Sequence, residues 1–229
     1  MKKTQLHGLT MAKMVESMMG AHDATAAINQ KLAGAALAVL NLEKMAASQN
    51  PMETSAAHAR RVASAAQKLS DKIHRIESEL TVEAEHQHQR LQREIQEKAR
   101  LVPSQHAAEI RSALRSADEK TRLKTIRDAL KEPESGAEIL AAIAEGNSVT
   151  VGLADDVRRR FVEDFQRIQA PELFAEQADL EETIRLAPKV LKLASEAVTD
   201  AVDPEYIIQI NEAEQRAQEI TAAFDQSVA

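Results

Sequence analysis

Two overlapping motifs, Glu83-x-x-His86 and Glu85-x-x-His88, have a spacing that could hold a metal. On a helix, residues three apart share a face. Carboxylate-bridged di-metal bundles combine two such motifs with two further Glu on neighbouring helices. The second half is missing here. Three positions before the other histidines stand Thr4, Met19, Ser55, Asp71 and Pro103. The two motifs also overlap on one helix and point to different faces. They read as a solvated polar patch, at most a casual surface metal site, so neither a metal nor another cofactor is expected.

Arg158-Arg159-Arg160 is the one triple run of like charge. It could contact phosphate, but Asp155, Asp156, Glu163 and Asp164 lie three or four residues away and can neutralise it. Behind it, Val157, Phe161, Phe165 and Ile168 form the apolar face of a helix. The chain lacks a glycine-rich phosphate loop, a Gly-x-Ser-x-Gly elbow and a His-Glu-x-x-His motif. With no Cys, thiolate nucleophiles, thiolate metal sites and disulfides are excluded. No carboxylate pair stands out as an acid and base. The expectation is a protein that is not an enzyme.

The elements behind these residues are helical throughout. In 229 residues there are four Phe, one Tyr and no Trp, so Ala, Leu, Ile and Val must build the core. Prolines at 51, 103, 133, 171, 188 and 204 read as helix starts or kinks, because a proline in the first turn loses no hydrogen bond. Residues 1–50 form an Ala- and Met-rich helical segment. Met11, Met14, Val15, Met18 and Met19 share a face, followed by Ile28, Leu32, Ala35, Val39 and Leu42 at heptad spacing. Residues 51–132 read as a long αα-hairpin. Its first arm runs from Pro51 to Val102, its second over about 104–131. The first arm carries an aliphatic seam: Val62, Ala66, Leu69, Ile73, Ile76 and Leu80, then Ala84, Gln87, Leu91, Ile95 and Val102. The eleven-residue step from Leu80 to Leu91 shifts the seam and would locally unwind a coiled coil.

Residues 133–229 read as an acidic helical bundle. Ser135 and Glu138 have capping-box spacing, Gly146-Asn147 stops a short helix, and Ser148 to Leu153 reads as a turn or brief extended piece. Helices are expected over about 154–169, 172–187, 189–202 and 205–226. The last carries the seam Ile210, Ala213, Ala217, Ile220 and Phe224. The fold class is therefore all-α: an elongated hairpin or coiled-coil stalk followed by a compact bundle. The interaction seam is expected at Val62, Leu69, Ile73, Ile76, Leu80, Leu91, Ile95, Ile210, Ile220 and Phe224.

Charge separates the two ends. Residues 1–132 carry a net +5 and residues 133–229 a net −12, within a total of −7. The acidic end repels phosphate. The cations of the first arm, Arg60, Arg61, Lys68, Lys72, Arg75, Arg90 and Arg93, are interleaved with almost as many acids, so nucleic-acid contact is weak at most. Residues 24–42 are too polar for a standard spanning helix. Membrane contact is confined to residues 1–50, where the Met-rich face is either core or a soft binding surface.

The run Glu134-Ser135-Gly136-Ala137-Glu138-Ile139-Leu140-Ala141-Ala142-Ile143 leads into Val151-Gly152-Leu153-Ala154-Asp155-Asp156. Ala170-Pro171-Glu172-Leu173 and Leu180-Glu181-Glu182-Thr183-Ile184 follow. This quarter of the chain resembles a helical segment of structural proteins encoded by tailed bacteriophages. It departs from the pattern in lacking bulky residues before Gly152, and it brings no catalytic residues. The resemblance implies a virion component, placed inside the head or at the head–tail vertex. Its expected partners are further copies of itself and other virion proteins. The acidic C-terminus argues against a scaffolding protein with a basic helix pair. The competing expectation is a cytoplasmic bacterial coiled-coil adaptor or a phage assembly factor.

Overall fold

The computed structural model describes residues 6–19 and 23–228, with the backbone alone at 133–135. Among the described residues the protein is all-α: ten helices and no strand. The long helical periods account for this, since aliphatic residues recur at three- and four-residue steps in nearly every segment. The helices fall into two compact units, Met1–Ala84 with Asp179–Ala229, and Glu85–Ala178. The sequence segments divide at residues 50 and 132 instead. They follow texture, whereas the units follow packing.

The first unit is built on aliphatic seams. Helix α1 (His7–Met18) buries Met11, Val15 and Met18, and α2 (Asp23–Ala47) buries Ile28, Leu32, Ala35, Val39 and Leu42. The two approach closely at Gly8, where a Cβ would lie 2.8 Å from the backbone nitrogen of Leu40. The Gly8 N–H, one of the unpaired donors of a helix start, donates to Glu43 Oε1 at 3.2 Å. Buried Asn29 donates from Nδ2 to the carbonyl of Met18 at 2.9 Å and satisfies the other end of α1. Residues 20–22, including Gly20, lie outside the described residues.

Helix α3 (Ser55–Ala99) contributes residues 55–84 to this unit, and α9 (Pro171–Ala201) contributes 179–201. Val62, Ala66, Leu69, Ile73, Ile76 and Leu80 of α3 are buried, as are Leu180, Ala187, Val190, Leu191, Ala194 and Ala197 of α9. Each such Val, Leu or Ile withdrawn from water contributes roughly 1.5–3 kcal/mol. The three long helices meet around a groove of about 280 Å³ lined by Ile28, Leu80, Ala84, Ile184, Ala187 and Leu191. Glu77 and Thr81 add polar groups to its lining. Elsewhere between α2 and α3, Lys31 pairs with Glu79 at 2.8 Å and holds that carboxyl below its usual range. Helix α10 (Pro204–Val228) belongs to this unit and buries Ile210.

The second unit uses short helices around one core. Residues 85–99 of α3 are joined by α4 (Ala107–Ser116), α5 (Glu119–Lys131), α6 (Pro133–Glu145), α7 (Ser148–Val151), α8 (Asp155–Gln169) and residues 171–178 of α9. Leu114, Ile126, Leu140, Ile143, Val151, Leu153 and Phe165 interlock at its centre. Helices α5 and α6 touch where Gly136 stands: a Cβ there would fall 1.9 Å from the carbonyl oxygen of Ala129.

Several expectations are corrected here. The helix expected over 104–131 is two helices, because Asp118 caps α5 by accepting from the Thr121 N–H at 3.0 Å. Ser148 to Leu153 is neither a simple turn nor extended. It contains α7, whose capping box is Asn147 with Thr150, and left-handed Gly152 (φ 73°) closes it. The Ser135 side chain lies outside the described residues, and Glu138 accepts instead from the Ser104 hydroxyl. Pro188 lies inside α9 rather than starting a helix. Its ring removes the N–H that would bond the carbonyl of Ile184 and crowds that carbonyl, and Ile184 is exposed. The first stalk arm begins at Ser55, with Thr54 Oγ1 accepting from Ala57. It ends at Ala99, so Val102 lies off the helix and is exposed.

Candidate interaction surface

The ten seam residues split into two groups. Val62, Leu69, Ile73, Ile76, Leu80, Leu91, Ile95 and Ile210 are buried within the chain itself. They are core. Ile220 is 70% exposed and Phe224 is 63% exposed. From residue 211 to residue 228 every position of α10 is exposed. Ala213, Ala217, Ile220 and Phe224 step by 4, 3 and 4, so they form one apolar stripe along a helix of good intrinsic propensity.

The start of this helix is held by polar contacts. Asp203 caps it by accepting from the Tyr206 N–H at 3.1 Å. One turn past Ile210, Glu214 pairs with Arg60 of α3. The hydrogen bond lowers the Glu214 pKa and raises that of Arg60. Beyond this, the side-chain bonds of α10 run along the helix itself, as from Arg216 to Glu212 at 3.2 Å.

The other candidate residues resolve into structural roles. His86 is exposed, and His88 lies 2.9 Å from Gln92 Nε2. Among the described residues no three His, Asp or Glu side chains draw together as a metal site. Arg61 is bound by Glu53 at 2.9 Å. Arg90 reaches Glu94 at 2.9 Å and Glu176 at 2.6 Å. Burial opposes its charge, but the two carboxylates outweigh burial and raise its pKa. Lys72 points Nζ at the Gly34 carbonyl, 3.5 Å away. Together with Lys31, Lys68 and Arg75 it borders an open groove of about 580 Å³ that also contains Asp71 and Glu79. The Met-rich face of α1 is largely core: Met11, Val15 and Met18 are buried, while Met19 is exposed.

Three arginines do something that sequence reading missed. Arg158 points Nη1 at the carbonyls of Ala144 (3.0 Å) and Ile143 (3.4 Å), and Arg111 reaches Ala142 (3.4 Å) and Glu145 (2.5 Å). Arg158 supplies donors to carbonyls at the C-terminal end of α6, and Arg111 adds a second donor to the Ala142 carbonyl, which already accepts the Gly146 N–H at 3.2 Å. Arg122 goes further. Its guanidinium donates to the carbonyls of Leu114 (2.7 Å), Ala117 (2.7 Å) and Arg115 (3.2 Å) at the end of α4, and to Gly152 after α7. A planar group with five donors suits such a fan of acceptors. The acid-neutralised reading of Arg158 holds in part, since Asp155 accepts from it at 3.3 Å.

No protein-family model matches the chain, and no curated protein or solved structure shows significant similarity to it.

Proposed function

We propose that the protein is a structural and interaction component of a tailed-phage particle, present in several copies with other virion proteins as neighbours. The observation that carries the interaction part is the uncovered stripe Ala213, Ala217, Ile220 and Phe224 on α10. An 18-residue exposed run with an apolar face at heptad spacing is a surface for another helix. The phage part rests on the resemblance of residues 133–193. In this reading α3, about 68 Å long by its 45 residues, serves as the stalk element, and the protein acts without catalysis.

The remaining surfaces fit that assignment. Arg60, Arg61 and Arg90 are occupied by carboxylates, so DNA contact is left to Lys68, Lys72, Arg75 and Arg93 and is weak and salt-sensitive. No helix of the described residues is long and apolar enough to cross a membrane. Membrane contact by residues 1–50 would require α1 to release Met11, Val15 and Met18 from the core.

Mass spectrometry of purified particles is the direct test. Presence in the mature particle supports the assignment. Presence in immature heads alone turns it into an assembly factor. Absence from both removes the viral reading and leaves a bacterial adaptor.

A further inference from the structure

We infer that the C-terminal half of α10 pairs antiparallel with the same helix of a second copy, in a register that sets each large stripe residue against a small one. This rests on the reading of the chain as an interaction protein, and it names the partner and the geometry.

The register follows from residue size. The stripe reads Ala213, Ala217, Ile220, Phe224: two small residues, then two large ones. In an antiparallel pair centred between residues 218 and 219, Ala213 faces Phe224 of the second copy and Ala217 faces its Ile220. Two-fold symmetry repeats both layers, so four layers each combine one large and one small side chain. Alternating large and small residues across facing positions lets layers interdigitate at native packing density. A parallel, in-register pair would stack Phe224 on Phe224 and Ala213 on Ala213, which crowds one end and leaves voids at the other.

The edges of the stripe agree. Glu214 and Thr221 flank one side, Arg216 and Ala223 the other. In the antiparallel register Glu214, already neutralised by Arg60 of its own chain, lies beside Thr221 of the second copy, and Arg216 beside its Ala223. No like charges meet, and Ala223 leaves room for the arginine stem to lie on apolar surface. The contact is isologous, as a closed two-fold dimer requires, and it opposes the two helix dipoles. Four layers along about 16 Å of helix bury less area than a standard interface. The pair alone is therefore weak, and repeated display in an assembly would strengthen it through effective concentration.

The absence of native Cys makes the test clean. A disulfide needs Cα atoms within about 7 Å. Ala213→Cys and Phe224→Cys chains, mixed at high concentration under mild oxidation, should form a mixed disulfide dimer. Each variant alone should not, because its two thiols would sit about 16 Å apart along the axis. Self-linked Phe224→Cys without the mixed product would mean a parallel pair and overturn the register. In parallel, light scattering of the full chain should show mass rising toward twice 25.1 kDa with concentration. Ala217→Glu should abolish that rise while leaving helicity and the urea midpoint unchanged. A wild-type mass that stays monomeric, or a dimer indifferent to Ala217→Glu, overturns the pairing. Detection of the protein in particles together with a monomeric chain would sink the pairing and keep the proposed function. A self-paired chain absent from particles would do the reverse.

Discussion

The segments 62–80 of α3 and 210–224 of α10 carry the same kind of pattern and meet opposite fates. Both place aliphatic residues at alternating steps of three and four. In α3 every seam residue from Val62 to Leu80 is buried, whereas in α10 burial ends at Ile210 and the next 18 residues face water. The difference lies in what the topology puts opposite. Helices α2 and α9 share a groove and an ion pair with α3, whereas among the described residues α10 is tied to α3 past Ile210 by the Glu214–Arg60 pair and is otherwise exposed from 211 to 228. A heptad seam announces that a face is apolar. Whether the chain or another molecule covers it depends on where the neighbouring helices go.

The sharpest way to break this comparison is to shorten one residue in each seam. Ile73→Ala, at a fully packed position, should lower unfolding free energy in urea by about 2–5 kcal/mol. Ile220→Ala should change it by less than about 0.5 kcal/mol in the monomer. Comparable losses would mean that the two seams are covered alike. The next effect separates the first unit, held by seams, from the second, whose helix ends are tied by arginine. Arg122→Met keeps the aliphatic stem but strips four carbonyls of their donor. It should cost about 2–3 kcal/mol by the same measurement. Arg122→Lys should recover little of this, since one ammonium cannot reach the whole fan.

A smaller effect of opposite sign is expected at the end of α3. Arg100 sits at φ 47°, a left-handed conformation that glycine adopts without strain. Arg100→Gly should stabilise the fold by about 1 kcal/mol, read as a raised melting temperature. The smallest effect is pH-dependent. Hydrogen bonds from the Thr121 side chain and backbone hold the Asp118 carboxyl below its usual pKa. A depressed pKa stabilises the fold above the unfolded value of about 3.9, and that contribution is lost as pH falls through the folded value. The stability gap between wild type and Asp118→Ala should therefore narrow as pH drops from 5 towards 2. A gap that widened on acidification would contradict the cap.

Much of the fold was legible because its cause is periodic. The burial of Ile28, Leu32, Val39, Ile73 and Ile76 follows from three- and four-residue spacing alone. The step between Leu80 and Leu91 was also legible, and the boundary between the units falls inside it, at Ala84. What escaped was local or long-range. Asn147 and Thr150 cap a four-residue helix, too short to display a period. The break at Ala117 depends on one Asp carboxylate. Pro188 stays within α9 because a single lost hydrogen bond can be borne in a long packed helix. The roles of Arg111, Arg122 and Arg158 depend on carbonyls 5 to 31 residues away, which no spacing rule brings together. The seam residues were identifiable as apolar, but the owner of their cover was not.

The discontinuity of the first unit bears on how the chain is made. Residues 85–178 form the second unit from one uninterrupted stretch, and its helices can find each other as soon as they leave the ribosome. The first unit must wait. The groove shared by α2 and α3 lacks its third side until residues 179–201 have been synthesised, and closing that loop spans the whole second unit. During this interval the Val62–Leu80 seam of the nascent chain is open along the side that α9 will cover. That makes the interval before α9 emerges the moment of greatest demand for a holding chaperone, and the point at which slow translation would expose the chain longest to aggregation.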